Sequence, residues 1–522
     1  MTPPDVTVVT AVYNTMPYLT RCLTSLIEQT IGRDRLEVVA VDDGSTDGSG
    51  RELDRFARLY PGTVKVIHQP NSGGPAAPSN RGLEHATGRY VFFIGADDYL
   101  GPEALERLVA AADRWESDVV LGRTVGVNSR YIHQAIFEST EPDVDLFDSA
   151  LPWSLSNTKL FRRELIERHG LRYPEDMPVG SDQPFTIEAC VHARRISVLA
   201  DYDYYYAVRR LNARNITYKS RHLERLRCAE ELVHFVARLV EPGKRRDAVL
   251  LRHFTLEVAK LLENDFLRLN RDTQDGVRVG VRKLAQEYLT DDIRDRLPIE
   301  SRVRLAAARY GDLDDLLAVI RQDAQQGIPP AVVDGDRWYA GYPGFREPRL
   351  GIPDPWFEIT DTVPDWLARF DTVSAAYEGG RTGAPALVVT ARSPRPDLPT
   401  VTSGIQLSAG DLAGATLAVE ADATGTTVRS RIPLKRVLAA IAPGGELRVV
   451  QAQVSAFGAT GSAALRGPRQ SAPLRTVVRH GSRLYLFTST TNHKGQLVIA
   501  VAPVTPRRLM ARLRRRLPLG GK

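Results

Sequence analysis

A chain of 522 residues that is 43% hydrophobic and 25% charged is too long for one ordinary core and has the balance of a folded globular protein, which excludes a disordered or fibrous class. No run reaches the roughly 18 consecutive apolar residues that a membrane span requires. The net charge of +6 is local: residues 506–522 hold Arg507, Arg508, Arg512, Arg514, Arg515, Arg516 and Lys522 with no acid, so without those seven the balance falls to −1 and the body has no basic excess to attract nucleic acid.

The opening residues, MTPPDVTVVTAVYN, carry neither the basic start nor the cleavage pattern of a signal peptide. From residue 5 to about 123, strand and helix patterns alternate. Residues 6–12 form a β-branched apolar run, and Thr15 is expected to cap a following helix with Pro17 just inside it. Strands are expected at 36–41, 64–67, 90–94 and 119–121, with a helix after the second running to about Tyr60 and another starting near Pro102. Strands separated by helices imply a mainly parallel, doubly wound α/β sheet of Rossmann-like type. Residues 124–220 are less regular and rich in Trp, Tyr and Arg, as suits a substrate-facing extension. The expected division is an α/β domain over 1–220, a helical domain over 221–326, a Pro/Gly-rich linker over 327–365, an all-β sandwich over 366–505 and a basic tail over 506–522. Three widely spaced cysteines, Cys22, Cys190 and Cys228, make no disulfide or metal framework and fit a reducing compartment.

The chemistry concentrates at strand ends. The run LEVVAVDDGSTDGS delivers Asp42 and Asp43 to the carboxyl edge of the sheet, where open α/β folds bind ligands. Carboxylates there can accept the imide hydrogen of uracil and ribose hydroxyls, or can simply cap the Gly44–Ser45 turn. The fourth strand ends in Gly95-Ala96-Asp97-Asp98, a pair that can hold Mg²⁺ or Mn²⁺ against a nucleotide diphosphate or can be an ordinary acidic turn. Between them lies the run from Asn71, NSGGPAAPSN, in which Gly73 and Gly74 allow close backbone approach to a ligand and Asn80 can bond a diphosphate or sugar. Asp182, in GSDQPF, sits at a loop-to-helix junction and is the candidate base for an acceptor hydroxyl, its other reading being a helix cap. Arg209 and Arg210, in YYYAVRRLNARNIT, could clamp a diphosphate or form a solvated basic turn.

Over roughly residues 6–217 these pieces resemble the inverting family 2 glycosyltransferases of GT-A fold. The motifs run in order TAVYN, VDDGSTD, NSGGPAAPSN, GADD, NTKLFRRELI and GSDQPF. A closer resemblance, carried by the GGP run, GSDQPF and RR-NIT, is to the wall teichoic acid glycosyltransferases. Those join a catalytic domain to a helical linker and a trimerising immunoglobulin-like β module. The resemblance implies that Ala11, Tyr13 and Asp42 bind uridine, that Asp97 coordinates a metal with the diphosphate, and that Asp182 is the general base. Asp43, Asn71, Gly74, Asn80, Arg81, Ala96, Arg209 and Arg210 are also expected around the donor, with Asp98 beside the metal. Three positions depart from the family pattern: Gly95 stands where an acid is usual, Ser181 precedes the base in place of an acid, and Ser79 replaces a basic residue.

The expectation is therefore a metal-dependent transferase moving a sugar from a UDP-sugar to a cell-wall glycopolymer such as teichoic acid. It is expected to be cytoplasmic, homotrimeric through 366–505, and held at the inner membrane face by 506–522. In the tail, Leu509, Met510, Leu513 and Leu517 recur at nearly helical spacing among arginines, the pattern of an interfacial helix. The rival readings are a sugar nucleotidyltransferase, which should carry a basic Gly-rich loop that TAVYNTMPYL lacks, and a non-catalytic glycan-binding scaffold.

Overall fold

The computed structural model describes residues 3–504 except 129, 211–221, 328, 336, 380–383, 411, 440–445, 457–458, 468–472, 482 and 493. The basic tail and the Asn215-Ile216-Thr217 part of the arginine motif lie outside the described residues. The chain divides into two compact units, Met1–Ile328 with Tyr342–Trp356, and Pro329–Gly341 with Phe357 onward.

The first unit is built on strands β1 (Val6–Val12), β2 (Leu36–Asp43), β3 (Val64–Gln69), β4 (Tyr90–Phe93), β5 (Tyr99–Leu100), β6 (Val119–Gly122), β7 (Thr124–Val127), β8 (Leu160–Arg162), β9 (Ile196–Leu199) and β10 (Tyr205–Val208). Seven of them form a sheet in the order β3-β2-β1-β4-β8-β6-β9, parallel except where β8 runs against β4 and β6. Helices α1 (Leu19–Ile27), α2 (Ser49–Leu59), α3 (Ala76–Glu84), α4 (Ala104–Trp115), α5 (Arg163–His169) and α6 (Asp182–His192) punctuate the strands. Parallel strands are covered on both faces and so read as near-continuous apolar runs; Val6, Val8, Val9 and Val12 of β1 are all buried. The register aligns Val12 with Asp42 and Asp42 with His68, which brings the carboxyl ends of three strands to one edge.

Two local expectations change. The second and third strands run on to Asp43 and Gln69, so both acids of VDD pair within the sheet. Thr15 does not cap a helix with its side chain. α1 begins at Leu19, the Thr15 carbonyl accepts from the N–H groups of Tyr18 and Leu19, and the Thr15 N–H donates to Ser49 Oγ at 3.0 Å.

A second sheet, β5-β10-β7, carries Tyr205 beside Leu100 and Thr124. Beyond it come α7 (His222–Leu239), α8 (Lys244–His253), a π-helical turn over Phe254–Val258, and α9 (Arg271–Tyr288), α10 (Asp291–Arg296), α11 (Ile299–Tyr310) and α12 (Leu313–Arg321). α7 packs on α9 and α9 on α11 through residues such as Leu232, Val236, Val277 and Leu284. The segment Tyr342–Trp356 belongs to this unit: Tyr342 Oη donates to Asp323 at 2.6 Å, Arg349 pairs with Asp315, and Trp356 meets the Tyr310 ring edge-on at 5.9 Å.

The second unit is antiparallel β. A hairpin of β11 (Ala331–Asp334) and β12 (Arg337–Ala340) precedes β13 (Asp371–Glu378), β14 (Ala386–Ser393), β15 (Gly404–Ala409), β16 (Leu412–Ala413), β17 (Ala415–Asp422), β18 (Gly425–Pro433), β19 (Glu446–Ala456), β20 (Ala459–Ala464), β21 (Leu474–His480), β22 (Arg483–Thr491) and β23 (Leu497–Pro503). These form sheets in the orders β13-β14-β18-β17 and β16-β15-β19-β23-β22-β21, with β20 on β19. The expected Pro/Gly-rich linker 327–365 is thus shared: its hairpin joins the second unit and its 342–356 portion the first.

Candidate active site

The edge at β1 and β2 is stitched by side chains rather than left open. Asp42 accepts from the Ser45 N–H at 3.1 Å and lies 2.9 Å from His68 Nδ1, while Asp54 holds the other ring nitrogen of that histidine at 3.0 Å. Hydrogen bonds to these two carboxylates raise the pKa of His68. A Cβ at Gly50 would lie 2.6 Å from Asp42 Oδ2, so α2 can start this close to the acid only with glycine there. Asp43 fastens the following loop: it accepts from Gln69 Nε2 at 2.7 Å and from the Ser72 N–H and hydroxyl at 3.0–3.1 Å, and the Asn71 amide donates to its carbonyl at 3.0 Å. Asn14, just past β1, accepts from the Thr46 N–H at 2.8 Å and ties the GST turn to the first strand.

The acidic pair after β4 is divided in its tasks. Asp98 is buried, accepting from Tyr205 Oη and from the Val208 N–H, each at 2.6 Å. Burial, with the adjacent Asp97 charge second, pushes its pKa up to about 6. Asp98 therefore anchors β10 to the end of β4. Asp97 instead meets Arg210, whose Nε donates to it at 2.6 Å and whose Nη1 reaches the Asn14 carbonyl at 3.3 Å. Gly95 has a steric reason: a Cβ there would lie 2.8 Å from Asp98 Oδ2 and 3.2 Å from Asp97 Oδ1.

Beside these strand ends opens a cleft of about 270 Å³, lined by Ala11, Ser79, Gly95, Asn157, Tyr173 and Asp182 among others. Asp182 is the first residue of α6, placed there by a turn in which Gly180 takes φ +76°. Burial raises its carboxyl pKa, opposed by the charges of Arg252 and Lys159. A carboxylate shifted upward at the end of a cleft is suited to taking a proton. Under it, Phe93, Phe161, Tyr173 and Phe185 pack edge-on or stacked with centroids 4.5–6.1 Å apart, a rigid apolar floor.

Comparison with known proteins fits this geometry. Residues 7–165 match the family Glycosyl transferase family 2, and residues 226–320 match the Glycosyl transferase TarS linker domain. The chain thus carries a glycosyl transferase family 2 domain followed by a TarS linker domain. Poly(ribitol-phosphate) beta-glucosyltransferase of Bacillus spizizenii is 40% identical over 205 residues, 39% of this chain and 32% of that protein. Poly(ribitol-phosphate) beta-N-acetylglucosaminyltransferase TarS of Staphylococcus aureus is 38% identical over 203 residues, 39% of this chain and 35% of the relative. The matched stretch thus spans about a third of these curated relatives' length. The solved structure of S. aureus TarS 1–349 with UDP-GlcNAc superimposes with TM-score 0.58 at 28% identity, over 67% of this chain and 98% of that one. The longer TarS structure, at 22% identity and TM-score 0.58 over 96% of this chain and 86% of that one, extends the likeness of fold through the β module.

Within the first unit the structure treats the expected site residues differently. Ala11, Gly95 and Asp182 line one cleft, and Ala96 and Asp97 directly follow Gly95 in the chain; Tyr13, half exposed, follows β1. Gly74 approaches the GSDQPF turn, an added Cβ lying 3.7 Å from Pro178 Cα. Asp43, Asn71 and Asp98 are engaged in holding loops and strands. Asn80 and Arg81 depart from the expectation of donor contact. Asn80 is buried and spends both amide hydrogens, on the Tyr173 carbonyl at 2.9 Å and on Glu175 at 2.8 Å, while its oxygen accepts from the Tyr173 N–H. Arg81 lies on the exposed side of α3, paired with Glu84 at 2.8 Å. Arg209 is exposed and Arg210 holds Asp97.

As a latch, Asn80 positions the Tyr173 wall of the cleft. Asn80→Ala is expected to leave two buried backbone groups unpaired and cost about 1–3 kcal/mol, read from urea unfolding, with UDP affinity nearly unchanged. A large loss of UDP affinity at full stability would return Asn80 to the donor site.

Sequence reasoning missed Lys159, Asn157, Tyr173 and Tyr205. Lys159 is 1% exposed, donates to the carbonyls of Ser154 and Ser156 at 2.6 Å, and is lowered by burial to about 8. Its one signal was a lone lysine entering the apolar Leu-Phe of NTKLFRRELI.

Proposed function

We propose that the protein transfers a sugar, with inversion, from a UDP-sugar to a hydroxyl of a polyol-phosphate cell-wall polymer. The observation that carries this reading is Asp182, raised by burial, facing across one cleft the strand ends that bear Ala11 and Gly95. Asp182 takes the proton of the acceptor hydroxyl as that oxygen attacks the anomeric carbon, and UDP leaves on the opposite side. In this reading Asp42 and Tyr13 receive the uridine and Arg210 follows the diphosphate. Support comes from relatives named for poly(ribitol-phosphate) glucosyl and N-acetylglucosaminyl transfer. A half-buried carboxylate at the end of a cleft has no task in a non-catalytic scaffold.

Among the described residues no group of three or more His, Cys, Asp or Glu side chains gathers as a metal cage. Mg²⁺ and Mn²⁺ on a nucleotide need only one or two carboxylates, the rest of the shell being phosphate and water. Asp97 fits that requirement; Asp98 does not, both of its oxygens accepting hydrogen bonds from β10. The cation would neutralise charge growing on the departing diphosphate. Mixing the protein with poly(ribitol phosphate) and a panel of UDP-sugars is expected to release UDP with UDP-glucose or UDP-GlcNAc, and chelation with EDTA to suppress it. No UDP release with any donor would overturn the reading.

The second unit is proposed to trimerise the chain. Edge strands β17 and β21 leave Leu417, Val419, Leu474 and Val477 exposed, an unpaired apolar rim of the kind that pairs with other copies. Light scattering is expected to give three times the 57.8 kDa of one chain, and a monomer at micromolar concentration would refute it. Among the described residues no helix is long and apolar enough to cross a membrane; peripheral attachment through residues 506–522 is part of the same proposal, and flotation with anionic vesicles tests it.

A further inference from the structure

Beside Asp182, the helical region seals a buried polar cluster against the neighbouring residue of α6. Arg252, in the last turn of α8, donates to Gln183 Oε1 and to Glu257 Oε1, the second at 2.7 Å, and lies 3.2 Å from His253 Nδ1. Gln183 Nε2 reaches the same Glu257 oxygen at 3.4 Å. Arg252 and Glu257 are only 12% and 19% exposed, and His253 is sealed from solvent. A buried ion pair contributes little net stability compared with apolar packing, so its placement against the first turn of α6 calls for another role.

We propose that Arg252 is a positioning residue for the transfer reaction: it grips the first turn of α6 through Gln183 and lends its charge to Asp182, so that the helical region sets the protonation of the base. The proposal rests on Asp182 being that base. The charged and titratable groups of Asp182 and of the cluster beside it come from four segments. Cys190 lies on its own helix, Lys159 enters from the approach to β8, Tyr173 from the segment after α5, and Arg252, His253 and Glu257 from α8 and its π-helical turn. Burial keeps Cys190 and Tyr173 protonated and His253 neutral. Lys159, lowered to about 8, surrenders its charge in the mildly alkaline range. Arginine is a permanently charged residue type, and Arg252 is the foremost group opposing the burial of Asp182. Glu257 shares that charge, so the pair sets how much of it reaches the base.

The test is the pH profile of kcat/KM for UDP release from UDP-GlcNAc with poly(ribitol phosphate), whose acid limb reports the base. Arg252→Gln removes a nearby positive charge, which favours protonated Asp182. The limb is expected to move up by about one pH unit, with the alkaline plateau and the KM for UDP-GlcNAc within about twofold. Arg252→Lys is expected to restore most of the limb position. Glu257→Gln frees the Arg252 charge and is expected to move the limb the other way. That opposite sign is what a merely structural role would not produce, and it remains readable if Arg252→Gln fails to fold. A uniform fall in rate at all pH values, or a Glu257→Gln limb that does not move, overturns the proposal. Asp182→Asn run in parallel separates the two failures: if it still turns over, the base assignment is wrong; if it is inactive while the other limbs stay fixed, only the role of Arg252 is.

Discussion

Asp182→Asn is expected to lose about 10²–10⁴-fold in turnover, the usual worth of a general base, while binding UDP-sugar as the wild type does. The amide keeps the size of the carboxylate at the start of α6 and cannot accept the acceptor's proton. Calorimetry with a UDP-sugar separates the two effects, and a large loss of donor binding would move Asp182 into the donor site. The sign of the pH dependence follows from burial. The folded-state pKa of Asp182 lies above the unfolded value, so activity should rise with pH through a limb above the ordinary carboxylate range. The stability linked to this group is fully present below the unfolded pKa and is lost as pH rises through the folded one. At neutral pH the uncharged variant should therefore be at least as stable as the wild type. Urea unfolding at pH 7 checks this, and a marked destabilisation would mean that the charge of Asp182 helps hold the cleft together.

Asp97→Ala is expected to abolish transfer and to weaken UDP binding in Mn²⁺ by at least about tenfold, a loss of about 1.4 kcal/mol. UDP binding in EDTA should change far less, since the residue would act through the cation. Replacing Asp98 makes the contrast. It should lower thermal stability by releasing Tyr205 and the Val208 N–H, because its carboxylate is tied to β10. Equal Mn²⁺ dependence of UDP binding in Asp97→Ala and the wild type would remove Asp97 from the metal site.

What the sequence made legible were features in which one segment declares its own environment. Strands β1, β2 and β4 are largely buried, so each carries a near-continuous apolar run that stands out. The Gly-Ser-Asp turn marked the start of α6 and delivered Asp182. What escaped were roles fixed by partners far along the chain. Asn80 looks like a ligand-facing amide, yet its partners are 93 and 95 residues away. Asp98 reads as the twin of Asp97 until Tyr205, 107 residues on, takes its oxygen. The Arg252 cluster joins positions 69 residues apart, and no local pattern announces it. Thr15 carried the right residue type for a cap, but its neighbourhood with Ser49 used its backbone instead.

The return of Tyr342–Trp356 to the first unit, between two stretches of the second, has a consequence for dissecting the molecule. The polypeptide passes from one unit to the other three times, so no single break in the backbone can free either intact. A chain stopped near residue 326 would lose the Trp356 ring that lies against Tyr310 and the Arg349 that meets Asp315. One stopped after Trp356 would keep them and carry the β11–β12 hairpin away from the sheets it belongs with. A protease nick between residues 342 and 356 should accordingly leave two fragments that migrate together until denatured.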